Sequence, residues 1–365
     1  MAPQLDAVAH DPQRRARART AIPLRQCAGE RWPRKTVAVA CWLYLVCALS
    51  LWLFLRSEAD HRWIATLILF GPRWIALTPL LILLPAALIL RRRSLLALLG
   101  ASGLILFPVM GLCVPWRAAI AREATTDEVP SLRVLTCNIH RTDLDAAAFA
   151  EVIASTHPDV VALQDWTSRY DAIFPATAGW YMVREDELCL VSRYRIRKIR
   201  DLGESWDVKM PGAAVCFELA LPQGPVNFVN LHLASPHRAF EGALHRGSEG
   251  RLQIEQNSDV RSRQSQAVSR FARESGAGAL LAGDFNTPQE SELFVRSWTP
   301  FADAFATGGF GWGYTYHARW TAVRIDHILS GRAWRCQRCW VGPDVGSPHR
   351  PLIADLEWVG ATAER

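Results

Sequence analysis

The stretch TVAVACWLYLVCALSLWLFL, Thr36 to Leu55, carries no charged residue. An uncharged apolar run of about twenty residues does not fit a solvent-exposed helix and has the length needed to cross a bilayer. Charge is absent again from Trp74 to Leu90 and from residues 94 to 114. The second run is slightly short, but the preceding WIATLILFGPR can extend it, and Pro79 and Pro85 are tolerated inside lipid. One such run is compatible with a buried globular helix; three in close succession predict three membrane spans within residues 36–114. Cys336 and Cys339 form a CxxC, yet no second cysteine pair or histidine cluster accompanies them, which argues against zinc. A bond between them would have to join positions i and i+3 of one strand, which is too far, so they read as strand residues. Of the nine cysteines, Cys41, Cys47 and Cys113 fall in the spans, where a small apolar role suffices. The sequence has no fixed-period repeat and no low-complexity tract.

With 365 residues the chain has room for two or three domains, and 50% hydrophobic residues with 15 Trp fit a part that lies in lipid. The net charge of +6 owes much to the N-terminal arm and to the triplet Arg91 to Arg93, so it is weak evidence for nucleic-acid binding. Those same residues set the orientation. Arg14, Arg15, Arg17, Arg19, Arg25, Arg31, Arg34 and Lys35 precede the first span, and Arg91 to Arg93 separate the second from the third. Basic flanks stay cytoplasmic, and three crossings put both clusters on that side. The link holding Glu58 and Asp60 against Arg56, Arg62 and Arg73 has a weaker basic bias and is compatible with the outside, where everything after about Pro115 would then lie. The long basic leader and the later spans argue against a cleaved signal peptide. Residues 1–35 are expected to be a disordered cytoplasmic arm rich in Arg, Ala and Pro, and residues 115–130, with Thr125, Thr126, Asp127 and Glu128, a polar linker.

From residue 131 to 360 strands and helices alternate. LRVLTCNI (132–139), DLDAAAFAEVIAST (143–156) and PDVVALQDW (158–166) form a β-α-β opening. LCLVSRY, AAVCFELAL, VNFVNLHL, ALLAGDF, RIDHILS and PLIADLEW are further strands, with a second helix expected at about Ser262 to Glu274. This order predicts an α/β fold of two packed sheets with helices outside.

Polar residues gather at the strand ends. Asn138 closes the first strand, Gln164 and Asp165 the second, Asn230 and His232 a later one, then Asp284 and Asn286, Asp326 with His327, and finally His349. Each alone is explained by a turn, a helix cap or a satisfied strand histidine. Together they predict one site at the sheet ends, where ligands of α/β proteins bind, able to hold metal or phosphate.

The motifs TCNIH (136–140), VVALQD (160–165), LVSRY (190–194), NLHL (230–233), GDFNTP (283–288), RIDHIL (324–329) and SPHRPL (347–352) resemble those of the endonuclease/exonuclease/phosphatase family, from about Leu132 to Trp358. GDFN followed by RIDHI is the most specific part. The resemblance implies a four-layer α/β sandwich of two mixed β-sheets flanked by helices. It also implies a divalent-metal-dependent phosphoesterase, with Mg2+ or Mn2+ held by Asp165 and assisted by Asn138. Asp284 would orient or deprotonate water, Asn286 and Asn138 would contact the phosphoryl group, Asp326 would fix the tautomer of His349, and His232 would be the second histidine. Two departures stand out: Asp165 occupies the usual glutamate position, and Pro348 replaces an aspartate that commonly supports metal. A catalytically impaired phosphate-binding or scaffolding relative is the alternative.

The substrate stays open among phospholipid, nucleic acid and inositol phosphate, and no protein partner is inferable. Specificity is expected in loops. Ser235 to Arg263 is one candidate, with His237, Arg238, His245, Arg246 and Arg251 as anion contacts or as a solvated loop. Trp312, Tyr314, Tyr316 and Trp320 are candidates for stacking on bases, for insertion among lipid head groups, or for packing.

Overall fold

The structure is a computed structural model that describes residues 26–116, 131–203, 212–245 and 247–360. Arg14, Arg15, Arg17, Arg19 and Arg25 of the arm, Thr125 to Glu128 of the linker, and Arg246 lie outside the described residues.

Three helical stretches, Trp32–Glu58, Arg73–Leu90 and Arg92–Val109, are long and apolar enough to cross a membrane. Small residues let them pack closely: Cys41, Ala48, Ala87, Ala97 and Ala101 are buried between them. Leu81, Ile82 and Ile89 instead point outward at 75–81% exposure, the kind of surface that lipid covers. The third stretch stops before Val114, because Pro108 sits in a wide π turn, Ile105–Val109, and Gly111 then turns the chain with φ of 75°. Cys113 goes on to bridge Gly311 in the C-terminal domain.

That domain holds two six-stranded mixed sheets. The first has β1 (Ser131–Asn138), β2 (Val160–Gln164), β3 (Tyr181–Glu185), β4 (Leu188–Ser192), β13 (Trp334–Val341) and β14 (Leu352–Trp358), in the order β13-β14-β1-β2-β4-β3. The second has β5 (Ile196–Asp201), β6 (Ala213–Leu221), β7 (Gly224–His232), β8 (Leu280–Asp284), β9 (Ala302–Asp303) and β12 (Asp326–Ser330), in the order β5-β6-β7-β8-β12-β9. A small hairpin, β10 (Tyr316–His317) with β11 (Ala322–Val323), stands apart. Facing side chains such as Val134, Leu190, Phe217 and Phe228 fill the space between the sheets. Phe149 and Val152 of helix Ala146–Thr156 cover the first sheet, and Val268, Ala272 and Trp298 cover the second. The four layers are those of the expected sandwich.

Two expectations need correction. Helix Gly247–Glu274 is 28 residues long and begins well before Ser262, and with His237–His245 it replaces the loop expected from Ser235 to Arg263. Its buried positions include Gly250, Ile254, Ser258, Arg261 and Ser265, a helical stripe made mostly of small or polar residues, which hides the apolar period. Cys336 and Cys339 are free, as strand residues should be. Both are buried because a register shift between Cys336 and Arg338 turns two positions three apart inward.

The link between the first two apolar helices packs directly on the C-terminal domain. Asp60 is buried and accepts hydrogen bonds from Ser291 Oγ and Leu293 N, both 2.9 Å, at the start of helix Glu292–Trp298. Arg73 forms a buried ion pair with Glu290 at 3.0 Å. We expect Asp60→Ala to lower stability by about 1–3 kcal/mol, since it strands a buried hydroxyl and a helix N–H together. A melt of the detergent-solubilised chain measures it.

Candidate active site

Register brings the polar strand ends together. In the second sheet His232 pairs with Asp284 across β7 and β8, and Asp284 with Asp326 across β8 and β12. Register partners share a face, so one rim carries all three. In the first sheet Asn138 pairs with Gln164, and Asp165 follows at once. Gly283 makes the close approach possible: at φ of 151°, a Cβ there would lie 1.9 Å from the Leu231 carbonyl oxygen. Asp165 and Asn286 turn away from their strands with φ of 54° and 48°, conformations that Asp and Asn tolerate better than most residues.

Asp284 is the hub. Asn138 Nδ2 donates to its Oδ2 at 3.0 Å, and the Asn286 N–H donates to its Oδ1 at 2.8 Å. Nε2 of His232 and Nε2 of His349 stand 3.7 and 3.8 Å from its Oδ2. His349 Nδ1 lies 2.8 Å from Asp326 Oδ2, and Thr315 Oγ1 accepts from the Asp326 N–H at 3.1 Å. Asp326 Oδ1 is buried without a hydrogen-bond partner among the described residues. Asn286 Nδ2 donates to Leu233 O, and Asn138 Oδ1 accepts the His140 N–H. Burial and the nearby Asp326 push the Asp284 carboxyl above its ordinary range, against the pull of His349, His232 and Asn138. Burial would lower His349, but Asp326 and Asp284 outweigh it and hold its imidazole above the usual value.

A second group lies beside this hub. Asp165, Glu187 and His232 place their ligand atoms within 4.8 Å of one another. His232 Nδ1 pairs with Glu187 Oε1 at 2.8 Å, and Arg141 Nε lies 3.3 Å from Asp165 Oδ1. Arg141, Asp165, Glu187 and Ala213 line a cavity of about 410 Å³. Two carboxylates on an open cavity suit a hard divalent cation that keeps some of its waters, so the donor set fits the metal that the family resemblance implies. Glu187 was not foreseen. It lies at the β3–β4 turn in the acidic run Glu185, Asp186, Glu187, where nothing local separates a ligand from a solvated turn. Pro348 leaves the 347–349 segment without a carboxylate, but its carbonyl accepts from His317 N at 2.9 Å while Ser347 Oγ holds Asn138 O at 2.7 Å, so His349 is firmly presented.

The other strand-end amides join the sheets. Gln164 Nε2 donates to Asn230 Oδ1 at 2.7 Å, and Asn230 Nδ2 reaches Leu163 O and Cys189 O. His327 is fully buried between Asp303 Oδ2 and Thr287 O and supports the loop after Asp284.

Burial alone would lower the His232 pKa, but Glu187, Asp284 and Asp165 raise it to about 9. A raised histidine contributes stability that is complete below its unfolded value of 6.5 and lost as pH climbs through about 9. We therefore expect the melting temperature of the EDTA-treated chain to fall across that window and the fall to shrink in His232→Gln. Identical pH profiles would contradict the pairing.

The Endonuclease/Exonuclease/phosphatase family model matches residues 135–349, more than half the chain. The chain belongs to the endonuclease/exonuclease/phosphatase family. Members of this family are divalent-metal-dependent hydrolases of phosphoester bonds. A comparison with curated proteins gives no significant match. Among solved structures, an endonuclease/exonuclease/phosphatase from Beutenbergia cavernae is 18% identical, covering 64% of this chain and 74% of that one, with a TM-score of 0.46. One from Bacteroides vulgatus is 19% identical over 63% of this chain and 99% of its own, also at 0.46. Truncated Caenorhabditis elegans TDP2 is 17% identical over 62% and 97%, at 0.48. None of these likenesses bears on the substrate.

Proposed function

We propose that the chain is a membrane-tethered phosphoesterase of the phosphodiesterase or nuclease type that cleaves a P–O bond outside the cytoplasm. The observation that carries this reading is the buried Asp284 carboxylate standing between two histidines, one of them oriented by Asp326. Asp284 takes a proton from, or aligns, the attacking water; its raised proton affinity moves it toward base strength useful near neutral pH. Asp326 holds the Nδ1 proton of His349, so Nε2 faces the reaction and the imidazolium stabilises phosphoryl charge or protonates the departing oxygen. His232 adds a second positive charge on the other side of Asp284.

Asn138 ties Asp284 to the first sheet and keeps one lone pair of its Oδ1 beyond the His140 N–H to assist the cation, for which Asp165 and Glu187 would supply the carboxylates. Asn286 positions Asp284 through its backbone and keeps one amide hydrogen for a phosphoryl oxygen. Magnesium or manganese held there would offset phosphoryl negative charge. With these groups assembled at one site, we take the active enzyme over an impaired relative.

Two observations support the orientation. Arginine clusters flank the first span and separate the second from the third. The link bearing Asp60 and Arg73 packs on the domain that follows the third span, so both lie on one side, as three crossings require. A cytoplasm-only reporter fused after Trp358 should be silent while one fused at Lys35 is active; activity at both sites overturns the topology. For the chemistry, bis-(p-nitrophenyl) phosphate, plasmid DNA and phospholipid vesicles are assayed with magnesium, manganese or chelator. Metal-dependent turnover of at least one is expected, and turnover of none in the folded, metal-supplied chain would refute the reading.

A further inference from the structure

A second cavity, of about 310 Å³, lies where the second apolar helix meets the β10–β11 hairpin, lined by Arg73, Trp74, Tyr314, His317, Arg319 and Trp320. Arg73 and Trp74 open the stretch Arg73–Leu90, so the cavity sits where the chain enters its apolar run. That depth in a bilayer is the head-group level, at which Trp and Tyr concentrate. Trp74 is 52% exposed and Trp320 is 71% exposed, large apolar surfaces that a soluble face seldom leaves open.

The polar lining is as specific. Arg73 is 6% exposed; its Nη1 serves Glu290 and the Val109 carbonyl, while its buried Nη2 has no partner among the described residues. Arg319 is exposed, lies over the Trp320 ring at 5.2 Å, and has no carboxylate partner among the described residues. Thr321 Oγ1 donates to Phe70 O at 2.6 Å and ties the hairpin to the segment before the second span.

We infer that this seam binds the head-group phosphate of a bilayer phospholipid, with the Arg319 guanidinium as the exposed donor, the buried Arg73 charge in the wall behind it, and Trp74 and Trp320 against the upper acyl chains. The inference rests on the reading that the three helices span a bilayer. A free phosphate would use the arginines but leave two exposed indoles with nothing to cover them. A polynucleotide would have to lie across the mouth of an apolar helix whose Ile75 is 52% exposed. The site also adjoins the chemistry. Successive strand residues project to opposite faces: His317 lines the cavity, while Tyr316 packs edge-on against the His349 ring at 5.0 Å. A bound lipid therefore braces the strand that backs the catalytic histidine.

The test is native mass spectrometry of the full chain in detergent after addition of phosphatidylglycerol, diacylglycerol or inorganic phosphate. Wild type should retain phosphatidylglycerol at least about tenfold better than the double variant Arg319→Ala/Trp320→Ala, and retain neither diacylglycerol nor inorganic phosphate. Equal retention of phosphatidylglycerol by both proteins would overturn the site. Retention of diacylglycerol as strong as that of phosphatidylglycerol would remove the head-group claim, and retention of inorganic phosphate would replace the lipid by a simple anion. Carbonate extraction of membranes containing the chain tests the membrane reading separately: release into the soluble fraction refutes that reading, whatever the lipid result. Turnover of bis-(p-nitrophenyl) phosphate by wild type reports on the phosphoesterase separately: its absence refutes that reading and leaves the lipid result standing.

Discussion

Asp284→Asn should lower turnover by about two to four orders of magnitude, the usual loss when an acid–base or charge-stabilising group is removed. The substitution keeps the volume and leaves an oxygen for the Asn286 N–H, now 2.8 Å from Oδ1. It takes away the basic oxygen that Asn138, His232 and His349 all approach. Stability should hold or rise, because burial and the charge of Asp326 both work against the ionised Asp284. A site that keeps two carboxylates in such proximity gives up stability for chemistry. Turnover and a thermal melt on one preparation decide the point: near-normal turnover in the folded variant would remove Asp284 from the chemistry.

His349→Ala should cost a comparable two to four orders of magnitude. Its imidazole is held on two sides, by Asp326 at Nδ1 and by Tyr316 against the ring, and its backbone N–H donates to the Ser347 hydroxyl. Such preorganisation is what a charge-stabilising group needs and what exogenous imidazole only partly restores. Burial would lower its pKa, but Asp326 and Asp284 raise it above the ordinary value, which favours the imidazolium. Activity should therefore fall on the alkaline side in wild type, and this limb should be missing from the residual activity of His349→Ala. Asp326→Asn, which leaves the ring in place and alters its tautomer, should lower turnover without moving substrate binding in proportion. An alkaline limb that persists unchanged in His349→Ala would assign it to another group.

Much of this site was legible because strand ends announce themselves. An apolar strand such as ALLAG that stops in Asp284 leaves its last side chain at the sheet rim, and parallel or antiparallel pairing lines such residues up. The same logic overreached at Gln164 and Asn230, whose amides hold the two sheets together. Glu187 was hidden because it is brought to the site by a hairpin turn and not by a strand end. Helix Gly247–Glu274 was read short because polar and small residues make its buried stripe, among them Arg261, whose charge is buried with the Phe70 ring 5.8 Å away. The contact of Asp60 and Arg73 with residues 290–293 is a property of tertiary packing, invisible in any local pattern. It fixes the segment between the first two apolar helices to residues that begin six positions after Asp284 in the chain.

In the proposed reaction water attacks phosphorus at the Asp284 cluster with the help of a divalent cation. The most direct measurement is the mass of p-nitrophenyl phosphate formed from bis-(p-nitrophenyl) phosphate by the full chain in 18O-labelled water containing manganese. The account predicts that the phosphate product carries one labelled oxygen, that EDTA stops its formation, and that Asp284→Asn forms at least about a hundredfold less. Label in the nitrophenol, or product formed equally well by folded Asp284→Asn or in EDTA, would contradict it.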